Sequence, residues 1–189
     1  MIRSGFVAIA MLFVIQVSHA QELSAAAKFW ENLKKHCGMA YEGQLAPGIA
    51  QADFEGKKLV MHVRGCDANT IRIPFFVGED RSRTWVLTFK DDKITLKHDH
   101  RNEDGSEDAL NQYGGTSPNP GFPNLQIFPA DVETSERIAY ASTNVWWITV
   151  DEKQYTYNLR RIGSDRLFSV VFDLTKPIPA PAAPWGWKD

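Results

Sequence analysis

Residues 85–105 read WVLTFKDDKITLKHDHRNEDG, two alternating runs joined back to back. Trp85, Leu87 and Phe89 alternate with Val86, Thr88 and Lys90, and Asp91-Asp92 form the turn. Ile94, Leu96, His98 and His100 then share one face of the next strand, while Thr95, Lys97, Asp99 and Arg101 share the other. Period-two alternation on both sides of a two-residue polar turn predicts a β-hairpin. Successive side chains on a strand point to opposite faces, so His98 and His100 are expected to project where Ile94 and Leu96 project, toward an interior.

Downstream, Leu125–Phe128, Arg137–Ala141, Asn144–Val150, Gln154–Ile162 and Arg166–Leu174 carry the same signal. Upstream, Met39–Leu45, Lys57–Gly65 and Thr70–Val77 do so. Ten short strands, mostly in consecutive hairpins, predict a mainly β protein built as an antiparallel up-and-down β-barrel; a two-layer β-sandwich is the alternative. Ser24–Cys37, SAAAKFWENLKKHC, is the one helical stretch: Ser24 caps it, Phe29 and Leu33 share a face with Trp30 beside them, and Gly38 ends it. Residues 102–124 are rich in Asp, Glu, Gly, Pro and Asn without an apolar period, which predicts a long loop at a mouth or lid.

The two ends read differently. Residues 1–20 carry Arg3, an apolar run from Phe6 to Val17 and a closing Ser18-His19-Ala20, the pattern of a signal peptide cleaved after Ala20. That run is shorter than the roughly 20 residues a membrane-spanning helix needs, so no transmembrane segment is expected. Residues 21–174 are expected to form a single domain. Residues 175–189, TKPIPAPAAPWGWKD, predict an extended Pro/Trp-rich strap whose tryptophans pack on the barrel or dock a protein partner.

Composition narrows the function. The net charge is −2 with no clustered Lys/Arg stripe, which removes nucleic acid as an expected partner. The only two cysteines, Cys37 and Cys66, are expected to form a disulfide, consistent with a secreted or periplasmic location. No nucleophile elbow, HExxH helix, glycine-rich phosphate loop or paired CxxC occurs.

Two groups of residues could carry chemistry. His98 and His100, at i and i+2 on one strand face, could share a zinc ion, but the spacing offers no third ligand, so no metal or other cofactor is assigned. Tyr155, Tyr157, Leu159 and Arg161 alternate along one face: pointing inward, Tyr157 and Arg161 make an anion anchor, and pointing outward, a solvated face. His98, His100, Tyr157 and Arg161 are therefore the candidate ligand contacts. The expected function is binding of a small apolar or amphiphilic molecule. The alternatives are an enzyme using His98 and His100 as metal ligands or as acid and base, and an envelope protein-interaction module.

The segments KLVMHVRGC, IPFFVGEDRSRTW, LKHDHRNEDG, TNVWWI, YTYNLRRIGSDR and FDLTKPIPAPAAPWGW resemble a set of uncharacterised bacterial secreted proteins of about this length, a likeness that implies no activity. A short N-terminal helix before an up-and-down sheet is also similar in architecture to the calycin, or lipocalin-like, barrels. Gly38-Met39-Ala40 departs from the Gly-x-Trp opening usual among lipocalins.

Overall fold

The computed structural model describes residues 22–49 and 51–188; the leader expected over residues 1–20 lies outside them. Ser24 caps the first helix, α1 (Ala25–Lys34), its Oγ accepting from the Ala27 N–H at 3.1 Å. The helix ends three residues short of the expected Cys37, and the turn that follows leaves through Gly38 at a φ of +82°, which favours glycine. Ala26, Phe29, Trp30 and Leu33 form its buried face.

The strands follow as β1 (Ala40–Leu45), β2 (Leu59–His62), β3 (Gly65–Cys66), β4 (Thr70–Val77), β5 (Asp80–Lys90), β6 (Lys93–His100), β7 (Tyr113–Thr116) and β8 (Leu125–Pro129). After helix α2 (Val132–Arg137) come β9 (Asn144–Val150), β10 (Gln154–Arg161) and β11 (Leu167–Ile178). They form one antiparallel sheet in the order β7-β6-β5-β4-β2-β1-β11-β10-β9-β8, with β3 pairing β4 as a continuation of β2. This is a nearly closed barrel and not the two-layer sandwich. Where its ends meet, the Asp131 N–H donates to Gly114 O at 2.9 Å, and Thr134 Oγ1 bridges the Gly114 N–H and carbonyl at 2.7 and 2.8 Å.

Three segments differ from the expectation. Residues 137–141 are not a strand: they hold the end of α2, which Asp131 caps through the Thr134 N–H at 2.8 Å, and a 3₁₀ turn over Ala139–Ala141. A local cap satisfies the backbone there before any neighbouring strand does. The long loop contains a strand, β7, paired with β6 from Thr95–Thr116 to His98–Tyr113. The expected strap begins late, because β11 continues past Leu174 to set Pro177 opposite Tyr41 and Ile178 opposite Ala40. Beyond it, Ala183 and Pro184 are buried, and the Trp185 N–H donates to Arg81 O at 3.1 Å.

The interior changes character along the barrel axis. On the β5–β6 hairpin the inward pairs run Phe89–Ile94, Leu87–Leu96, Trp85–His98 and Arg83–His100. On the opposite wall β9 and β10 repeat the trend with Val150–Tyr155, Ile148–Tyr157, Trp146–Leu159 and Asn144–Arg161. One end is therefore aliphatic and aromatic, the other polar and charged. α1 closes the apolar end: Trp30 stacks on Phe89 with ring centroids 5.6 Å apart, and the Ser24 hydroxyl donates to Asp92 in the β5–β6 turn at 2.8 Å. The Cys37–Cys66 disulfide ties the chain after α1 to β3 at this end.

Candidate functional site

The other end is hollow. A cavity of about 410 Å³ opens there, within the range of small-molecule sites. His98, His100, Tyr157 and Arg161 all line it, on β6 and β10 from opposite walls. Tyr157 faces inward and is 6% exposed, so the solvated-face alternative does not hold for it.

His98 is the most buried of the polar pair, at 3% exposure. Its Nδ1 lies 2.8 Å from the Tyr113 carbonyl, which can only accept, so Nδ1 carries the proton. Nε2 is then the acceptor, and the Tyr157 hydroxyl donates to it at 2.6 Å. Burial pushes the His98 pKa down to about 3 and holds the Tyr157 phenol well above its ordinary value, so both are neutral in ordinary buffers. With both ring nitrogens occupied, His98 would have to give up a buried hydrogen bond to ligate a metal. No group of three or more His, Cys, Asp or Glu side chains with metal-binding placement occurs among the described residues.

His100 sits one tier nearer the opening. Its Nε2 is 3.1 Å from the Tyr113 hydroxyl, and burial followed by the nearby Arg83 charge lowers its pKa to about 4. Tyr113, which sequence reasoning placed in a loop, is thus a central support: its ring stacks on His98 at 4.3 Å and 11°, and its two oxygens engage both histidines. Asn111 holds the chain beside it, accepting from the His100 N–H at 2.9 Å.

The lower wall is aromatic. Trp85 is sandwiched between Phe75, at 4.8 Å and 16°, and Tyr157, at 4.2 Å and 16°, making a three-ring stacked column beside the cavity. Below it Tyr155, Phe172, Leu87, Leu96 and Ile148 fill the barrel.

Around the opening the charge is unevenly matched. Arg83 is paired with Asp80. Arg161 donates through Nε to Asn144 Oδ1 at 3.0 Å and places its guanidinium 4.9 Å from the Tyr140 ring centre. Arg166, absent from the expected contacts, also lines the cavity and donates to Gln51 Oε1 at 2.7 Å. Its signal was the hairpin register. A four-residue turn over 162–165 sets Arg166 opposite Arg161, whereas the three-residue turn expected over 163–165 does not.

No family model, no curated protein and no solved structure matches the chain. The chemistry of the cavity therefore carries the functional argument alone.

Proposed function

We propose that this protein binds one small amphiphilic molecule in the open end of its barrel, in a secreted or periplasmic setting. The observation that carries this reading is the graded interior: one end of the same barrel is packed solid, and the other leaves about 410 Å³ between an aromatic wall and a polar rim. Protein interiors are close-packed, so a hollow bounded by aromatic rings is a site for a guest. The Cys37–Cys66 disulfide supports an oxidising compartment, and no described helix is long and apolar enough to cross a membrane. Acid–base chemistry by the histidines is disfavoured, because groups held near 3 and 4 are weak bases at neutral pH. Docking of a protein by the C-terminal strap is disfavoured too, since the Arg64 and Arg81 side chains already bond Lys188 O and Ala183 O within the chain, at 3.0 and 3.3 Å.

Native mass spectrometry of the protein purified from its own host tests the proposal. A mass excess that organic extraction removes is expected, and the Leu159→Trp variant, which fills the cavity, should lack it. A ligand-free wild-type mass, unchanged after incubation with a lipid and metabolite extract of the host, would overturn it.

A further inference from the structure

The hairpin between β10 and β11 pairs Arg160 with Leu167, and on the next rung the Arg161 N–H donates to Arg166 O at 3.0 Å. Arg161 and Arg166 therefore stand directly opposite one another and line the same cavity. Like charges directly opposite on one sheet face destabilise it. Neither guanidinium has a carboxylate within ion-pair distance among the described residues, and their polar side-chain partners are the neutral Asn144 and Gln51.

The other charges at the opening do not relieve this pair. Arg83 uses Asp80. Asp108, the one carboxylate among the described residues lining the cavity, accepts from the Leu110 N–H at 2.7 Å and so is engaged in its own loop. Guanidinium forks are suited to bidentate recognition of planar oxyanions, and two that line one cavity mouth can engage the same one. An anion at the mouth would convert an unfavourable pair into a clamp.

The remainder of the cavity limits what the anion can be attached to. The Phe75, Trp85 and Tyr157 rings lie within 16° of parallel in each stacked pair, a rigid column that walls the cavity with aromatic carbon. Beneath that column the barrel is filled by side chains including Tyr155 and Phe172, so a long flexible chain finds no channel downward.

Resting on the ligand-binding reading above, we propose that the guest is a small carboxylate with a compact apolar body, its carboxylate held at the mouth by Arg161 and Arg166 and its body against the aromatic wall of the cavity. Isothermal titration of the disulfide-intact protein at neutral pH with 2-naphthoate, 2-naphthylmethanol and decanoate tests it. Naphthoate is expected to bind at least about tenfold more tightly than the matched alcohol, through charge-assisted bonds the alcohol cannot make, and more tightly than decanoate. Arg161→Met, and separately the exposed Arg166→Met, should erase most of the advantage of naphthoate over the alcohol while leaving alcohol binding within about threefold. Arg161→Lys, which keeps the charge and loses the fork, should fall between them. Equal affinity for the two naphthalenes, or equal loss of both in the arginine variants, would overturn the anion clamp while leaving the cavity a binding site. Preference for decanoate would overturn the compact-body part. If none of the three binds, the inference fails, and the mass-spectrometric adduct then decides separately whether the cavity binds anything.

Discussion

His98 and Tyr157 form a buried pair in which each satisfies the other, so removing either partner alone is costly. Tyr157→Phe keeps the ring on Trp85 but leaves His98 Nε2 without a donor, and a buried unpaired acceptor costs about 1–3 kcal/mol. Urea unfolding at pH 7.5 should show that loss; an unchanged midpoint would mean that water replaces the hydroxyl. The histidines also set a pH dependence. Folded pKa values near 3 for His98 and near 4 for His100 lie below the unfolded value of about 6.5, so the unfolded chain takes up protons that the folded chain refuses. Their stabilisation is complete above about pH 6.5 and is lost as pH falls toward the folded values, at up to about 2.7 kcal/mol per pH unit for the two together. Burial lowers His36 and His62 in the same direction. Urea midpoints should therefore drop between pH 7 and pH 5, and a flat profile over that interval would contradict the burial of the pair. The inward aim of both histidines was legible from strand period alone. The role of Arg166 was not, because whether it faces Arg161 depends on one residue of turn length that the sequence leaves open.

Among the elements, the seam between β7 and β8 is the least regular part of the barrel and the part most dependent on single residues. A Cβ on Gly115 would lie 1.8 Å from the Pro129 carbonyl oxygen, and one on Gly114 would lie 1.9 Å from Leu96 O. Both near atoms are backbone, so a side chain there forces strands apart. Gly115→Ala is expected to destabilise the protein by about 1–3 kcal/mol or more and to speed amide exchange in β7 and β8 before the rest of the sheet. Uniform exchange across all strands would show that the seam is not a separate unit. The same glycines explain why β7 went unrecognised: Gly-Gly amid Pro, Asn and Ser has turn chemistry, and its use as a strand becomes visible only when two neighbouring backbones crowd it. Residues 137–141 show the converse case. Ile138 and Ala141, three apart, are buried while Ala139 and Tyr140 are exposed, a helical spacing and not strand alternation, and the deciding information is the Asp131 cap several residues earlier. The β5–β6 and β9–β10 hairpins were legible throughout, because long alternating runs leave one register that buries the apolar face.

For the molecule as a whole, the Cys37–Cys66 link holds the plugged end together. It spans 29 residues, and closing such a loop in the unfolded chain stabilises the fold by about 3.5 kcal/mol in the entropic model. Cys37→Ser with Cys66→Ser, or reduction, should lower the urea midpoint by that order while leaving 2-naphthoate affinity in the opposite end within about threefold. A loss of binding equal to the loss of stability would mean that the two ends are mechanically coupled. The overall β class was open to reading because nearly every strand announces itself locally. The closure was not, since it depends on which strands meet from the two ends of the sequence.

That meeting has a consequence for the order of assembly. Gly43 of β1 lies opposite Phe172 of β11, so the first described strand is sealed by the last described one. A chain emerging from a ribosome makes β1 early yet has nothing to set on its outer edge until Leu167–Ile178 arrives. Until then β1 and β10 present bare edges, and contacts so distant along the chain form slowly. A version ending before Leu167 should accordingly aggregate instead of yielding a smaller soluble barrel.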